Sequence, residues 1–223
     1  MNGHCIFGQP YYFDNSAPSA QLRNATSFLI SYLTRDRRGE AINSYGDKNM
    51  LKKALNRHLN AIKGKHVAVV GTEKPWAEAI VLNLGAEKVT TIEYRDLYIE
   101  HPRVSVVTPF QYASMFLNQT AESFDAVVSY SSIEHTGLGR YGDPLMPYGD
   151  MEAVAQIWCA MKPGGYLFLG VPMNGNRKKC VLQWNAHRLY SYVRMQHLTA
   201  NFKVLDEINA DGHNTLHVLQ KLE

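Results

Sequence analysis

"HVAVVG", residues 66 to 71, is an unbroken apolar, β-branched run that ends on a glycine. A run this short, with no polar alternation, reads as a strand covered on both faces, the habit of parallel sheets. The next stretch, "PWAEAIVLNLG" (75–85), has helical spacing, with Pro75 suited to a first turn and Gly85 to a C-terminus. "KVTTIEY" (88–94) and "RVSVV" (103–107) are further strands, "PFQYASMFL" (109–117) a helix and "FDAVVSY" (124–130) the next strand. "DMEAVAQIWCAM" (150–161) is a helix, closed by "KPGG" before the strand "YLFLGVP" (166–172). "AHRLYSYVRMQHL" (186–198) reads as one more helix. Strand-like runs at 202–208 and 215–222 end the chain, joined across residues 209–212, where Asp211-Gly212 suits a hairpin.

Strands alternating with helices predict a doubly wound, mostly parallel sheet, here seven-stranded and ending in an antiparallel hairpin. Ahead of "HVAVVG", residues 1–18 read as an irregular arm. A helix follows from Ser19, with Leu22, Phe28, Leu29, Tyr32 and Leu33 on one face. A second helix is capped by Asp47, carries Met50, Leu51, Leu55 and Ile62, and stops at Gly64. The domain expectation is an N-terminal arm and helix over 1–45 and an α/β domain over 46–223.

A chain of 223 residues, 45% hydrophobic and 19% charged, buries a sizeable core without metal or disulfide staples. The net charge of +3 is carried in short clusters such as Arg35, Arg37 and Arg38, or Arg177, Lys178 and Lys179. Such clusters read as solvated surface, not as a nucleic-acid stripe. No run approaches eighteen apolar residues, so no membrane span is expected. Cys5, Cys159 and Cys180 are odd in number and far apart, which argues against a disulfide framework or a structural zinc; Cys159 reads as core. A reducing cytoplasm is the default expectation. Two Asn-x-Thr triplets, at Asn24 and Asn118, carry meaning only in a secreted chain.

In open α/β sheets ligands sit beyond the carboxyl ends of the strands. The first strand delivers Gly71, Thr72, Glu73 and then Trp76, with a helix N-terminus that offers N–H groups. The second delivers Glu93 and Tyr94, the acid standing about twenty residues beyond Gly71, the spacing of a ribose-binding carboxylate. The fourth opens into "SYSSIEHTGLGRYGDP" (129–144), dense in Ser131, Ser132, Glu134, His135, Arg140, Tyr141 and Asp143. Trp76 has two readings, stacking on a cofactor ring or packing, and packing is favoured.

"VAVVG" with its helix, "TIEY", "FDAVVSYSSIEH", "MKPGGYLFLGVP" and the terminal hairpin together resemble class I S-adenosylmethionine-dependent methyltransferases. Within that superfamily, "GTEKPWAEAIVLNLGAEKVTTIEY", "SSIEHTGLGRYGDPLMPYGD" and "NAHRLY" are similar to a domain family of unknown function first described from nematode proteins. The resemblance spans about residues 45–221. It departs from the superfamily in the first loop, where "GTEKPW" stands for G-x-G-x-G.

The resemblance implies S-adenosylmethionine as cofactor, bound by Gly71, Thr72, Glu73, Trp76, Glu93, Tyr94, Ser131 and Ser132, with no metal. It implies a small-molecule or glycan-like methyl acceptor beside Arg140 and Tyr141. His135 is the preferred general base and Asp143 the second choice. His187 and Arg188, at an expected helix start capped by Asn185, are either structural or substrate-facing. The alternatives are a fold-retaining binding module without catalysis and a nicotinamide-dependent oxidoreductase.

Overall fold

A computed structural model of the chain describes residues 4–8, 23–42, 49–209 and 214–222. The Asp211-Gly212 turn and the Ser19 and Asp47 caps lie outside these residues. In chain order the strands are β1 (Cys5–Phe7), β2 (Arg23–Asn24), β3 (His66–Val70), β4 (Lys88–Ile92), β5 (Leu97–Tyr98) and β6 (Val104–Val107). They continue as β7 (Phe124–Tyr130), β8 (Met161–Pro172), β9 (Cys180–Gln183), β10 (His187–Leu189), β11 (Phe202–Asn209) and β12 (Asn214–Lys221). The α-helices are α1 (Thr26–Arg37), α2 (Met50–Arg57), α3 (Trp76–Asn83), α4 (Pro109–Leu117), α5 (Gly149–Ala160) and α6 (Tyr192–Leu198).

Seven strands form one sheet in the order β11-β12-β8-β7-β3-β4-β6. All neighbours from β8 to β6 are parallel, while β12 runs antiparallel to both β8 and β11. From β3 the chain moves outward through β4 to β6, then returns to lay β7 on the other side of β3. That reversal opens the crevice between the ends of β3 and β7, where such sheets bind ligands.

Two apolar layers follow from the period-two side-chain alternation of the strands. Val67 and Val69 of β3 join α1, α2 and α3 in one layer, through Leu29, Leu33, Leu51, Leu55 and Ile80. Ala68, between them, faces the other layer with Val127, Ile157, Leu167 and Met195. Each fully buried Val, Leu or Ile contributes roughly 1.5–3 kcal/mol. The unbroken apolar character of "HVAVVG" is thus explained: both faces of β3 are covered.

Helix α4 is built differently. It opens with a reciprocal cap in which Thr108 Oγ1 accepts from Gln111 N at 3.2 Å and Gln111 Oε1 accepts from Thr108 N at 2.7 Å. None of its residues is buried.

Three expectations are corrected. Residues 186–198 are not one helix: β10 pairs antiparallel with β9, and α6 begins only after Ser191, whose Oγ accepts from Arg194 N at 3.2 Å. Asn185 is therefore no helix cap; it occupies the β9–β10 turn with φ 58°. Cys159 is exposed, not core. Cys5 and Cys180, expected to be free in a reducing compartment, form a disulfide in the register of the parallel β1–β9 pair. Persistent disulfides belong to oxidising compartments. Among the described residues no helix is long and apolar enough to cross a membrane.

Charge also sits inside the second layer. Asp150, in the first turn of α5, is fully buried. Its carboxylate accepts from Arg194 Nε at 2.9 Å, Arg194 Nη2 at 2.6 Å and the Tyr190 hydroxyl at 3.0 Å. Arg188 Nε lies 3.6 Å from the same group. Burial, with Asp150 second, pushes the Tyr190 phenol well above its ordinary value. This cluster ties α5, β10 and α6 together. Asp150→Ala leaves two buried guanidinium groups without their counter-ion and should lower the unfolding free energy by about 3–5 kcal/mol. Urea denaturation checks this; a loss below about 1 kcal/mol, the range of a surface pair, would contradict it.

Candidate active site

Beyond the ends of β3, β4 and β7 lies a cavity of about 800 Å³, within the size range of ligand sites. Gly71 turns the chain out of β3 with φ 73°, and its missing side chain is required: a Cβ would run into the Ser132 hydroxyl. Thr72 N then donates to Glu93 Oε2 at 2.8 Å, and Arg95 N donates to Glu93 Oε1 at 3.2 Å. Burial raises the Glu93 pKa, opposed by these backbone hydrogen bonds. The acid is thus held at the junction of the first two strand ends.

The opposite wall is the loop after β7. Ser131 adopts φ 52°, a left-handed conformation that costs a non-glycine residue about 1–3 kcal/mol. There its hydroxyl donates to Glu134 Oε1 at 2.7 Å. Glu134 is 1% exposed and its Oε1 lies 3.6 Å from His135 Nε2. The other ring nitrogen, His135 Nδ1, is 2.5 Å from the Ala186 carbonyl oxygen. A carbonyl only accepts, so Nδ1 carries the hydrogen and Nε2 holds the lone pair of the neutral ring.

The loop's path is fixed from within and from behind. Asp143 accepts from the N–H groups of Gly137, Leu138 and Gly139 at Oδ2 (2.6, 3.0 and 3.3 Å) and from Tyr141 at Oδ1 (3.2 Å). Behind it, the buried Arg188 donates from Nη1 to the carbonyls of Glu134 and Thr136 (3.3 and 2.6 Å). Its Nη2 donates to those of Met146 and Pro147 (3.3 and 3.2 Å). Gly137 and Gly149 pass so closely that a Cβ on Gly149 would meet Gly137 Cα at 2.8 Å.

Of the residues singled out from sequence, Gly71, Thr72, Glu73, Glu93, Tyr94, Ser131 and Ser132 line the cavity. So do His135, Arg140, Tyr141 and Asp143. Glu73 is a rim residue, 3.8 Å from Arg23 Nη1. Asp143, the second-choice base, has its carboxylate engaged by four N–H groups and anchors the loop instead. Trp76 faces away from the cavity: it packs edge-on against Tyr130, ring centroids 5.4 Å apart, in the layer with α1. His187 stands behind His135, their rings 5.9 Å apart, and does not line the cavity. Tyr141 is flanked by the guanidinium carbons of Arg140 and Arg95, 5.1 and 5.5 Å from its ring centroid.

The family model described as "Caenorhabditis protein of unknown function, DUF268" matches residues 64–222. The chain belongs to this family. No curated protein matches it significantly. Solved structures similar to this DUF268 chain include several methyltransferases. The 1,6-didemethyltoxoflavin-N1-methyltransferase of Burkholderia thailandensis, with bound 1,6-didemethyltoxoflavin and S-adenosylhomocysteine, has a TM-score of 0.56 at 17% identity, covering 97% of this chain and 100% of that one. The N-methyltransferase NodS of Bradyrhizobium japonicum WM9, in complex with S-adenosyl-L-homocysteine, has a TM-score of 0.53 at 16% identity, covering 90% and 100%. A putative methyltransferase of Haloferax volcanii, in complex with the Trm112 activator, has 0.55 at 14% identity, covering 89% and 98%. The chain therefore has the class I methyltransferase fold.

Sequence reasoning missed Arg95 and Glu78. Glu78 is the single acid within the apolar run of α3, a signal that was available. It is fully buried, with Oε1 2.9 Å from Thr91 Oγ1 and Oε2 3.4 Å from Thr72 Oγ1. Thr72 thus contacts both this acid and Glu93. Burial raises the Glu78 pKa from 4.5 to about 7. The folded state then binds this proton more tightly than the unfolded chain. The associated stability is complete below the unfolded value and is lost as pH rises towards 7, by about 3 kcal/mol in all. Glu78→Gln abolishes the ionisation, so its stability advantage over the wild type should grow between about pH 5 and about pH 8. Denaturation curves of both proteins across that range test this; a constant difference would contradict it.

Proposed function

We propose that the protein is an S-adenosylmethionine-dependent methyltransferase acting on a small-molecule or glycan-like acceptor. The observation that carries this is one continuous cavity, with Glu93 held at the β3–β4 junction and His135 on the loop after β7. The similar solved structures named with S-adenosylhomocysteine support the reading.

The residues present fit the cofactor. Gly71 and Thr72 bring backbone to the cavity wall, Glu93 offers a carboxylate to ribose hydroxyls, and Tyr94, Ser131 and Ser132 border the same space. The reduced "GTEKPW" loop keeps Gly71 at the cavity wall and ties Thr72 N to Glu93. When bound, S-adenosylmethionine supplies an electrophilic methyl group.

The chain's own residues orient the acceptor and manage its proton. Arg95 and Arg140, whose guanidinium groups lie over the Tyr141 ring, set a cluster of hydrogen-bond donors at the cavity wall, suited to a hydroxyl-rich molecule. His135 Nε2 is the acceptor for the proton lost from an attacking hydroxyl or amine. Once protonated, the ring carries its charge 3.6 Å from Glu134 Oε1, while the Ala186 carbonyl holds Nδ1.

Calorimetric titration with S-adenosylhomocysteine should give saturable binding, and His135→Ala should bind it equally well while turning over about a hundredfold or more slower. No binding at millimolar ligand would reject the cofactor assignment. Near-normal turnover in the variant would remove His135 as the base. Binding without turnover on any acceptor would favour a binding module built on this fold.

A further inference from the structure

We propose that Asn118 is an N-glycosylation site and that this chain matures in an oxidising, glycosylating compartment. The inference does not depend on the methyl-transfer reading; of the residues it uses, Phe116 and Leu117 also line the cavity.

The first is the Cys5–Cys180 disulfide, which joins positions separated by 175 residues and fastens β1 to β9. A structural disulfide of this kind is at home where glycan transfer also occurs and is rare in a reducing cytoplasm. The second is the sequon Asn118-Gln119-Thr120 itself. It forms the exposed turn that ends α4, with Asn118 as C-cap and Gln119 in the left-handed region at φ 57°.

The third is the surface beside it. Phe116 is 51% and Leu117 81% exposed, an unusual state for two large apolar side chains at one helix end. Phe116 stands two residues before Asn118. The apolar C–H face of a first sugar can rest on such a ring, and the glycan then covers surface that no described residue buries.

Asn118, Gln119 and Thr120 are all exposed, with the Thr120 hydroxyl donating to the Met115 carbonyl oxygen at 3.2 Å, whereas Asn24-Ala25-Thr26 is built more deeply into the fold. Asn24 Oδ1 accepts from Thr26 N at 3.0 Å, Thr26 Oγ1 accepts from Glu100 N at 2.9 Å, and Ala25 is fully buried. All three residues of that triplet are committed to the fold.

The transfer uses a lipid-linked oligosaccharide diphosphate as donor. The Asn118 amide nitrogen forms a bond to the sugar C1, the C1–O bond to the diphosphate breaks, the lipid diphosphate leaves with the electron pair, and the amide gives up one proton.

The test expresses the full-length reading frame, tagged at its carboxyl end, in a nematode host. Gel mobility is compared before and after peptide N-glycosidase. The wild type and Asn24→Gln should both shift, and Asn118→Gln should not. Because glycan loss can impair folding, mass spectrometry of the treated wild type supplies a second readout: the enzyme converts a glycosylated Asn118 to Asp. An enzyme-insensitive wild type, a shift that persists in Asn118→Gln, or an unconverted Asn118 overturns the proposal.

Discussion

Three buried ionic side chains hold this molecule's working end together. Asp150 lies against Arg188 and Arg194, all within the layer that α5, α6 and β10 share. Such a cluster is costly to bury and more costly to break, because every partner removed leaves a charge without water or counter-ion. Its placement has a structural purpose. The loop after β7 is long and glycine-rich, and apolar packing alone would not fix its backbone. Ion pairing anchors the arginines, and Arg188 then makes four hydrogen bonds to the loop's carbonyls.

The other half of the site is fixed by a different means. Glu93 is held by main-chain N–H groups at the β3–β4 junction, and Gly71 is obliged to be glycine by the approach of Ser132. The two halves therefore touch: the strand end expected to face the cofactor and the loop expected to face the acceptor meet at Gly71–Ser132. This contact explains how the first loop keeps a single glycine. The backbone position that must stay bare is set by a neighbouring side chain of the same protein.

The sheet was legible in the sequence because its signal is local. Apolar runs such as Val67–Val70 and Ala126–Val128 declare buried strands, and the intervening helices declare parallel connections. The cavity position followed from the strand order, which is why Glu93, Ser131, Ser132 and His135 were found. What escaped depends on partners distant in the chain. The segment 187–189 has helical periodicity yet pairs as a strand, because β9 and the disulfide-bound β1 offer it a sheet edge. Cys5 and Cys180 are far apart in sequence, so no spacing rule joins them. Asp143 and Glu134 lie in the same loop as His135 and are both acidic; only their hydrogen-bond partners separate a loop anchor from a neighbour of the base. Arg188 was read as either structural or substrate-facing; its buried guanidinium settles it as structural.

Arg188 binds its loop entirely through carbonyl oxygens, which every amino acid possesses. Its hold on residues 134, 136, 146 and 147 is consequently indifferent to which side chains those positions carry. The Tyr141 side chain, which lines the cavity, takes no part in that hold. A clamp of this kind separates the heritable shape of a binding loop from its chemical vocabulary. Relatives that keep the arginine and its aspartate are free to diverge in what they recognise while preserving where they recognise it.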